Sequence, residues 1–276
     1  MPGLSSGYKH SDNEVRSRRI VFWVIILLIL TPSVWAEEGK SSWEDRVKNT
    51  ICEDYKNFYS IGNLEKLAIG LGAAGVLANT SEDREILDCY QESVKNKDTD
   101  NLSTVTKIFG EGLITIPIYL GAALFGEFTS DAELSYATGE WAKRCLRTLL
   151  VGYPPVFFLQ GALGASRPNE GGSGWSPFSD NNGVSGHSFN GAVPFITAAK
   201  MTDNLYYKYG LYFASTLAGV SRINDNAHYF SQVALGWWLA YLSVASVDKT
   251  GTKSPKVVVI PANINDGVGV IVTFRF

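Results

Sequence analysis

The chain alternates between apolar stretches of helical length and short polar breaks. Apolar segments lie at about 64–78, 112–126, 146–164, 190–199, 209–220 and 233–247, each between 10 and 19 residues long. Strand-like alternation is scarce before residue 255, so the body is predicted to be mainly α. Residues 37–63 are polar and aromatic and predict one helix and a turn. Ser81-Glu82-Asp83-Arg84-Glu85 reads as an N-cap followed by first-turn acids. Lys95 to Asp100 is predicted to be a charged loop. Asn169 to Gly186 is too rich in turn residues for regular structure, and a long loop inside a helical domain is commonly functional. The pattern changes near the end. Lys256 to Pro261 and Val268 to Phe276 are β-branched and flank Asn265-Asp266-Gly267, which predicts a small C-terminal β-hairpin over 251–276. One hairpin does not make an outer-membrane barrel, although the chain ends in Phe after an apolar strand.

The N-terminus follows different rules. Arg16, Arg18 and Arg19 precede an unbroken apolar run from Ile20 to Leu30, and Val34-Trp35-Ala36 offers small residues for cleavage. This is the pattern of a secretory signal peptide over 1–36, so the mature chain is expected to be exported, to the periplasm or the cell envelope. An uncleaved anchor is the alternative, since 20–36 nearly reaches a spanning length. Cleavage would remove four of the 24 basic and two of the 27 acidic residues and leave a net charge of −5. No basic patch stands out, which argues against nucleic acid as a partner. Only 148–166 and 226–247 come close to a charge-free membrane span, so residues 37–250 read either as a water-soluble bundle of very apolar helices or as a membrane-embedded one. Cys52, Cys89 and Cys145 lack metal-ligand spacing. In an exported protein a Cys52–Cys89 disulfide with Cys145 buried and free is one reading, and three separate buried thiols is the other.

Three short stretches carry candidate chemistry: Gln160 through Arg167-Pro168, Val184-Ser185-Gly186-His187, and Ser221-Arg222 followed by His228 and Gln232. Arg167 and Arg222 bring fixed positive charge in a fork that suits phosphate oxygens. Ser185-Gly186 ahead of a helix offers a hydroxyl and bare backbone N–H groups, an anion-binding arrangement. His228 and Gln232 are four apart, so they are expected on one helix face. A Gln carbonyl accepting from Nδ1 would leave Nε2 free to attack. His187 is then the second acid–base group. Two arginines, two histidines and an anion turn describe phosphoryl transfer without a metal.

The ordered set resembles the type 2 phosphatidic acid phosphatase and vanadium haloperoxidase superfamily. Its pattern is Lys, six residues, Arg-Pro; then Pro-Ser-Gly-His; then Ser-Arg, five residues, His, three residues, Asp. Here 15 residues separate Pro168 from Val184 and 33 separate His187 from Ser221, where the family has its gaps. The resemblance covers a motif core of about 146–247 and implies a helical bundle of that type. It implies that Arg167, Arg222, Ser185 and Gly186 bind phosphate, that His228 attacks phosphorus, and that His187 protonates the leaving alcohol and then helps water attack the phosphohistidine. Three positions depart from the pattern. Val184 stands for Pro. Gln160 stands for Lys; it is expected to donate a hydrogen bond to the phosphate but brings no charge. Gln232 stands for the Asp that orients the nucleophile. Asp225 is a candidate for the missing charge, or the N-cap of the next helix.

Together with the signal pattern, the resemblance implies an exported, cofactor-free phosphatase acting on a phosphomonoester or pyrophosphate; the apolar helices and export favour a phosphorylated lipid as substrate by analogy, with a small phosphoester as the other. It leaves association with a membrane open. A vanadium-dependent haloperoxidase, with vanadate in the same pocket, would need more cations than Gln160 leaves. A catalytically decayed envelope protein on the same fold is the other alternative, motivated by the two Gln positions.

Overall fold

The computed structural model describes residues 43–128 and 133–251, together with the backbone of two C-terminal strands. The candidate signal peptide at 1–36 lies outside the described residues. The chain divides into two units, Met1–Thr50 and Ile51–Phe276. Within the first, Trp43–Thr50 forms the opening turns of a helix. The second unit holds all the other described residues.

The described residues form nine α-helices: α1 (Trp43–Phe58), α2 (Ile61–Ala78), α3 (Glu82–Ser93), α4 (Lys97–Thr106), α5 (Gly112–Phe128), α6 (Glu133–Leu163), α7 (Gly186–Met201), α8 (Leu205–Asn224) and α9 (Phe230–Thr250). A 3₁₀ turn (Lys107–Gly110) joins α4 to α5, and the two arms bend by 57° at that break. The strands β1 (Lys256–Ile264) and β2 (Gly267–Arg275) pair antiparallel, Lys256 opposite Arg275.

The apolar runs that predict helices are helices, and their buried stripes meet in one core. Leu149, Val151 and Val156 of α6, Phe189 and Ile196 of α7, and Leu235, Leu239 and Leu242 of α9 are all buried. Helix α7 lies among α6, α8 and α9, which explains why its sequence is apolar almost all round. Helix α6 runs 31 residues through Pro154-Pro155. A proline at 154 cannot donate to the carbonyl of Leu150. That carbonyl accepts instead from the Tyr55 hydroxyl at 2.8 Å, so α1 repairs the ladder that the proline interrupts.

Three local expectations need correction. Lys95 to Asp100 is not a loop: α4 begins at Lys97, because the Asn96 side chain accepts from the amides of Asp98 and Thr99 and Thr99 Oγ1 accepts in turn from the Asn96 amide. Ser81 occupies the N-cap position of α3 but has helical dihedrals and makes no side-chain cap. Cys52 and Cys89 are exposed free thiols, and Cys145 is buried and free.

Helices α2 and α9 are long and apolar enough to cross a membrane, and the bent pair through α4 and α5 would make a third span if its arms are counted together. Much of α2 faces outward, with Ile61 78% and Ile69 70% exposed. Helix α5 likewise exposes Leu113, Ile118, Leu124 and Phe125. Outward apolar surface on this scale marks an interaction face rather than a solvated one.

Candidate active site

The polar stretch from Gly164 to Ser185 connects α6 to α7 and supplies two of the candidate groups. It leaves α6 at Gly164, whose φ of +62° ends the helix in the left-handed region; a Cβ there would sit 1.8 Å from the Ser176 carbonyl oxygen, so only glycine fits. Arg167 comes next, its Nε donating to Asn182 Oδ1 at 2.9 Å. At the far end Ser185 is the N-cap of α7, its Oγ accepting from the Ser188 amide at 3.3 Å. Its own amide donates to the Gln232 carbonyl at 2.9 Å, which ties the start of α7 to the start of α9. The amides of Gly186 and His187 lie in the first turn, where no earlier helical carbonyl is available to them, and such an end attracts anions. Gln160 lies beside this turn: a Cβ on Gly186 would be 3.5 Å from its Nε2. The amide is buried and donates to the Val184 carbonyl at 2.9 Å. Gln160 thus braces the loop at the place where the family pattern has a lysine.

Arg222 and His228 flank a tight turn after α8. The Arg222 carbonyl accepts from the amides of Ala227 and His228, at 2.8 and 3.2 Å. This requires Asn226 at φ 53°, a conformation that Asn tolerates better than most side chains. His228 is 5% exposed, and its Nδ1 lies 2.7 Å from Gln232 Oε1. The amide of Gln232 is fixed at both ends. Its Nε2 donates to the Ser166 carbonyl at 2.8 Å, and Oε1 also accepts from the Tyr229 amide at 3.2 Å. A carbonyl oxygen facing Nδ1 requires the ring proton there, so Nε2 carries the lone pair. Burial, helped by the charges of Arg222 and Arg167 and by His187 against the opposing Gln232 hydrogen bond, pushes the imidazole down to about 3. The contact between His228 and Gln232 is as expected, but its geometry is not. His228 precedes α9 rather than lying on it, and Gln232 at N3 folds back over the N-cap residue Tyr229.

His187 sits in the first turn of α7, and its Nε2 meets Glu111 Oε1 at 2.9 Å. Glu111 lies at the break between the 3₁₀ turn and α5. The approach is close because residue 110 has no side chain: a Cβ on Gly110 would be 2.9 Å from both Cβ and Cδ2 of His187. The His187 hydrogen bond, with the charges of Arg222 and Lys107, outweighs burial and holds the Glu111 carboxyl below its usual range.

Asp225 does not cap α9. It lies just past the last turn of α8, accepts from Ser103 Oγ at 2.6 Å, and pairs with Lys107 at 3.4 Å and Arg222 at 3.6 Å. Burial raises its carboxyl, but that hydrogen bond and the two cations leave it below its ordinary range. The α9 N-terminus is capped from elsewhere: buried Asp83 of α3 accepts from the Ser231 amide at 2.9 Å and from its hydroxyl at 2.5 Å.

Ser103, Lys107 and Glu111 are not legible as site residues in the sequence. Their spacing of four places them along one side of the α4–3₁₀ arm, and Glu111 stands between two glycines as the only charged residue from Ile108 to Gly126. That isolation is the signal that could have revealed it. Among the described residues no group of three or more His, Cys, Asp and Glu is placed to hold a metal ion.

The site thus gathers two guanidinium groups, a helix N-terminus and a neutral imidazole with its lone pair on Nε2, while a second imidazole is paired with a carboxylate. Such a set can hold a tetrahedral anion and attack it. Residues 136–252 match the family model described as the PAP2 superfamily. This segment belongs to the PAP2 superfamily. The PAP2 segment contains Gln160, Arg167, Ser185, Gly186, His187, Arg222, His228 and Gln232, whereas Ser103, Lys107 and Glu111 precede it. PAP2 membership supports a phosphatase-type activity. No curated protein and no solved structure matches the chain.

Proposed function

We propose that the protein is an exported phosphatase that hydrolyses a phosphomonoester or pyrophosphate, of a lipid in the first instance, through a phosphohistidine on His228. One observation carries the reading: His228 Nδ1 bonded to Gln232 Oε1 at 2.7 Å in a buried setting, which leaves Nε2 unprotonated for attack. Arg167, Arg222 and the Ser185-Gly186 turn bind the phosphoryl oxygens, with Gln160 bracing that turn. Nε2 attacks phosphorus as the bond to the leaving oxygen breaks, and His187 gives that oxygen its proton. Water then passes a proton to His187 and attacks the phosphohistidine. The N–P bond breaks and orthophosphate leaves. The reading needs no metal or other cofactor.

The lipid preference rests on a neighbouring groove. An apolar cavity of about 430 Å³ opens between α2, α8 and α9, lined by Gly70, Leu77, Val220, Trp237 and Trp238 among others. Its lining includes Ser188 and Ile223, next in sequence to His187 and Arg222, on the helices that carry those two residues. The outward apolar faces of α2 and α5 suit contact with a bilayer.

The test is phosphate release by the full chain in mixed micelles with a chelator present. Phosphatidate, a polyprenyl pyrophosphate and an aryl phosphate are offered beside His228→Ala. Chelator-resistant release that the variant lacks is the expected result. Acid-quenched protein is expected to carry acid-labile phosphate. No release from any of the three by folded protein would leave a non-catalytic envelope protein on this fold.

A further inference from the structure

We infer that Glu111, from outside the PAP2 segment, is the positioning residue that holds His187 as the proton donor to the leaving oxygen, with Nε2 bound to the carboxylate and Nδ1 turned to the substrate. The inference rests on the phosphatase reading above and deepens it.

The geometry is specific. The contact is 2.9 Å and joins residues 76 apart in sequence. It is made possible by three local features: a helix break at 110–112, a glycine at 110 against the His187 ring, and the 57° bend that turns α5 away. A carboxylate only accepts, so the ring nitrogen facing it must carry a hydrogen. That fixes the ring's orientation and leaves one nitrogen, Nδ1, to exchange a proton with the reaction. The pair is part exposed, with side chains 21% and 47% accessible, as a group that meets a substrate must be.

The same arm braces the other side of the cradle. Ser103 and Lys107 hold Asp225, and Asp225 pairs with Arg222. Across the site the charges are distributed unlike the family pattern. His228 is oriented by the neutral amide of Gln232, and the carboxylate stands behind His187 instead. A nucleophile gains from being neutral, and an acid gains from an anion that complements its charged form. The carboxylate missing behind His228 and the one present behind His187 therefore assign opposite tasks to the two rings.

In the step concerned, the P–O bond of the ester breaks and the departing oxygen takes the Nδ1 proton of His187 while the N–P bond to His228 forms. Glu111 keeps its own hydrogen bond throughout. An alkoxide needs that proton, whereas a nitrophenolate leaves without it. This difference sets the experiment. The value of kcat/KM, which reports steps up to release of the alcohol, is measured for octyl phosphate and for 4-nitrophenyl phosphate with the parent, Glu111→Gln and Glu111→Asp. For Glu111→Gln the expected loss is about 100-fold on octyl phosphate and about threefold or less on 4-nitrophenyl phosphate, in keeping with the size of general-acid effects. Glu111→Asp is expected to recover part of the octyl phosphate rate. Unfolding midpoints of the three proteins show whether the fold is retained. Equal loss on both substrates, or no loss on either, would overturn the inference while leaving the phosphatase reading intact. A parent protein inactive on both would overturn that reading and this inference with it.

Discussion

His228 is buried, and its hydrogen bond through Nδ1 to Gln232 leaves the lone pair on Nε2. Burial lowers the proton affinity of the ring, so the neutral form persists far into acid. The consequence for stability has a definite sign. The unfolded chain takes up a proton at this position near pH 6.5, whereas the folded chain does so only near about 3. The contribution of the buried neutral ring is fully present above 6.5 and is lost as pH falls through about 3. Replacing His228 with Asn removes this coupling. Denaturation midpoints of the variant should fall less steeply over that window than those of the parent. Parallel curves would show that the ring is not held neutral by the fold.

At the scale of elements, the long helix α6 depends on a partner. The Leu150 carbonyl is orphaned by Pro154 and satisfied by the Tyr55 hydroxyl. Tyr55→Phe should therefore cost about 1 kcal/mol, the net worth of a typical hydrogen bond. In a Pro154→Ala background the amide of residue 154 can again donate to the Leu150 carbonyl and the same change should cost less, which a double-mutant cycle reads directly. How much the sequence revealed also varies by element. The apolar runs at 190–199 and 233–247 are visible because each is buried against several neighbours and so carries little charge, whereas the run at 112–126 is visible although much of it faces outward. The arm at 97–110 was not visible, because its helix starts on a capping box at Asn96 and Thr99 within a run of charges that reads as a loop. The site divides in the same way. Arg167, Ser185, His187, Arg222, His228 and Gln232 lie in three local motifs whose spacing can be read. Glu111 acts through space, and the arm that carries it has no motif. The fold-back of Gln232 over Tyr229 was likewise hidden, since a spacing of four suggests a shared helix face whether or not the helix has begun.

For the molecule as a whole, the PAP2 segment at 136–252 is not the whole site. His228, the Ser185-Gly186 turn and both arginines lie inside it, but Asp83 caps α9 from α3, and Ser103, Lys107 and Glu111 reach Asp225 and His187 from the α4 arm. The N-terminal helices are therefore part of the machinery rather than an attachment to it. They also carry outward apolar surface, with Ile61 and Ile69 of α2 exposed on the helix that lines one side of the apolar groove. A protein resting on that face would meet its substrate in two dimensions. Its rate would then track the mole fraction of phospholipid in the surface rather than the amount per volume of buffer, and inert detergent would slow it by dilution alone.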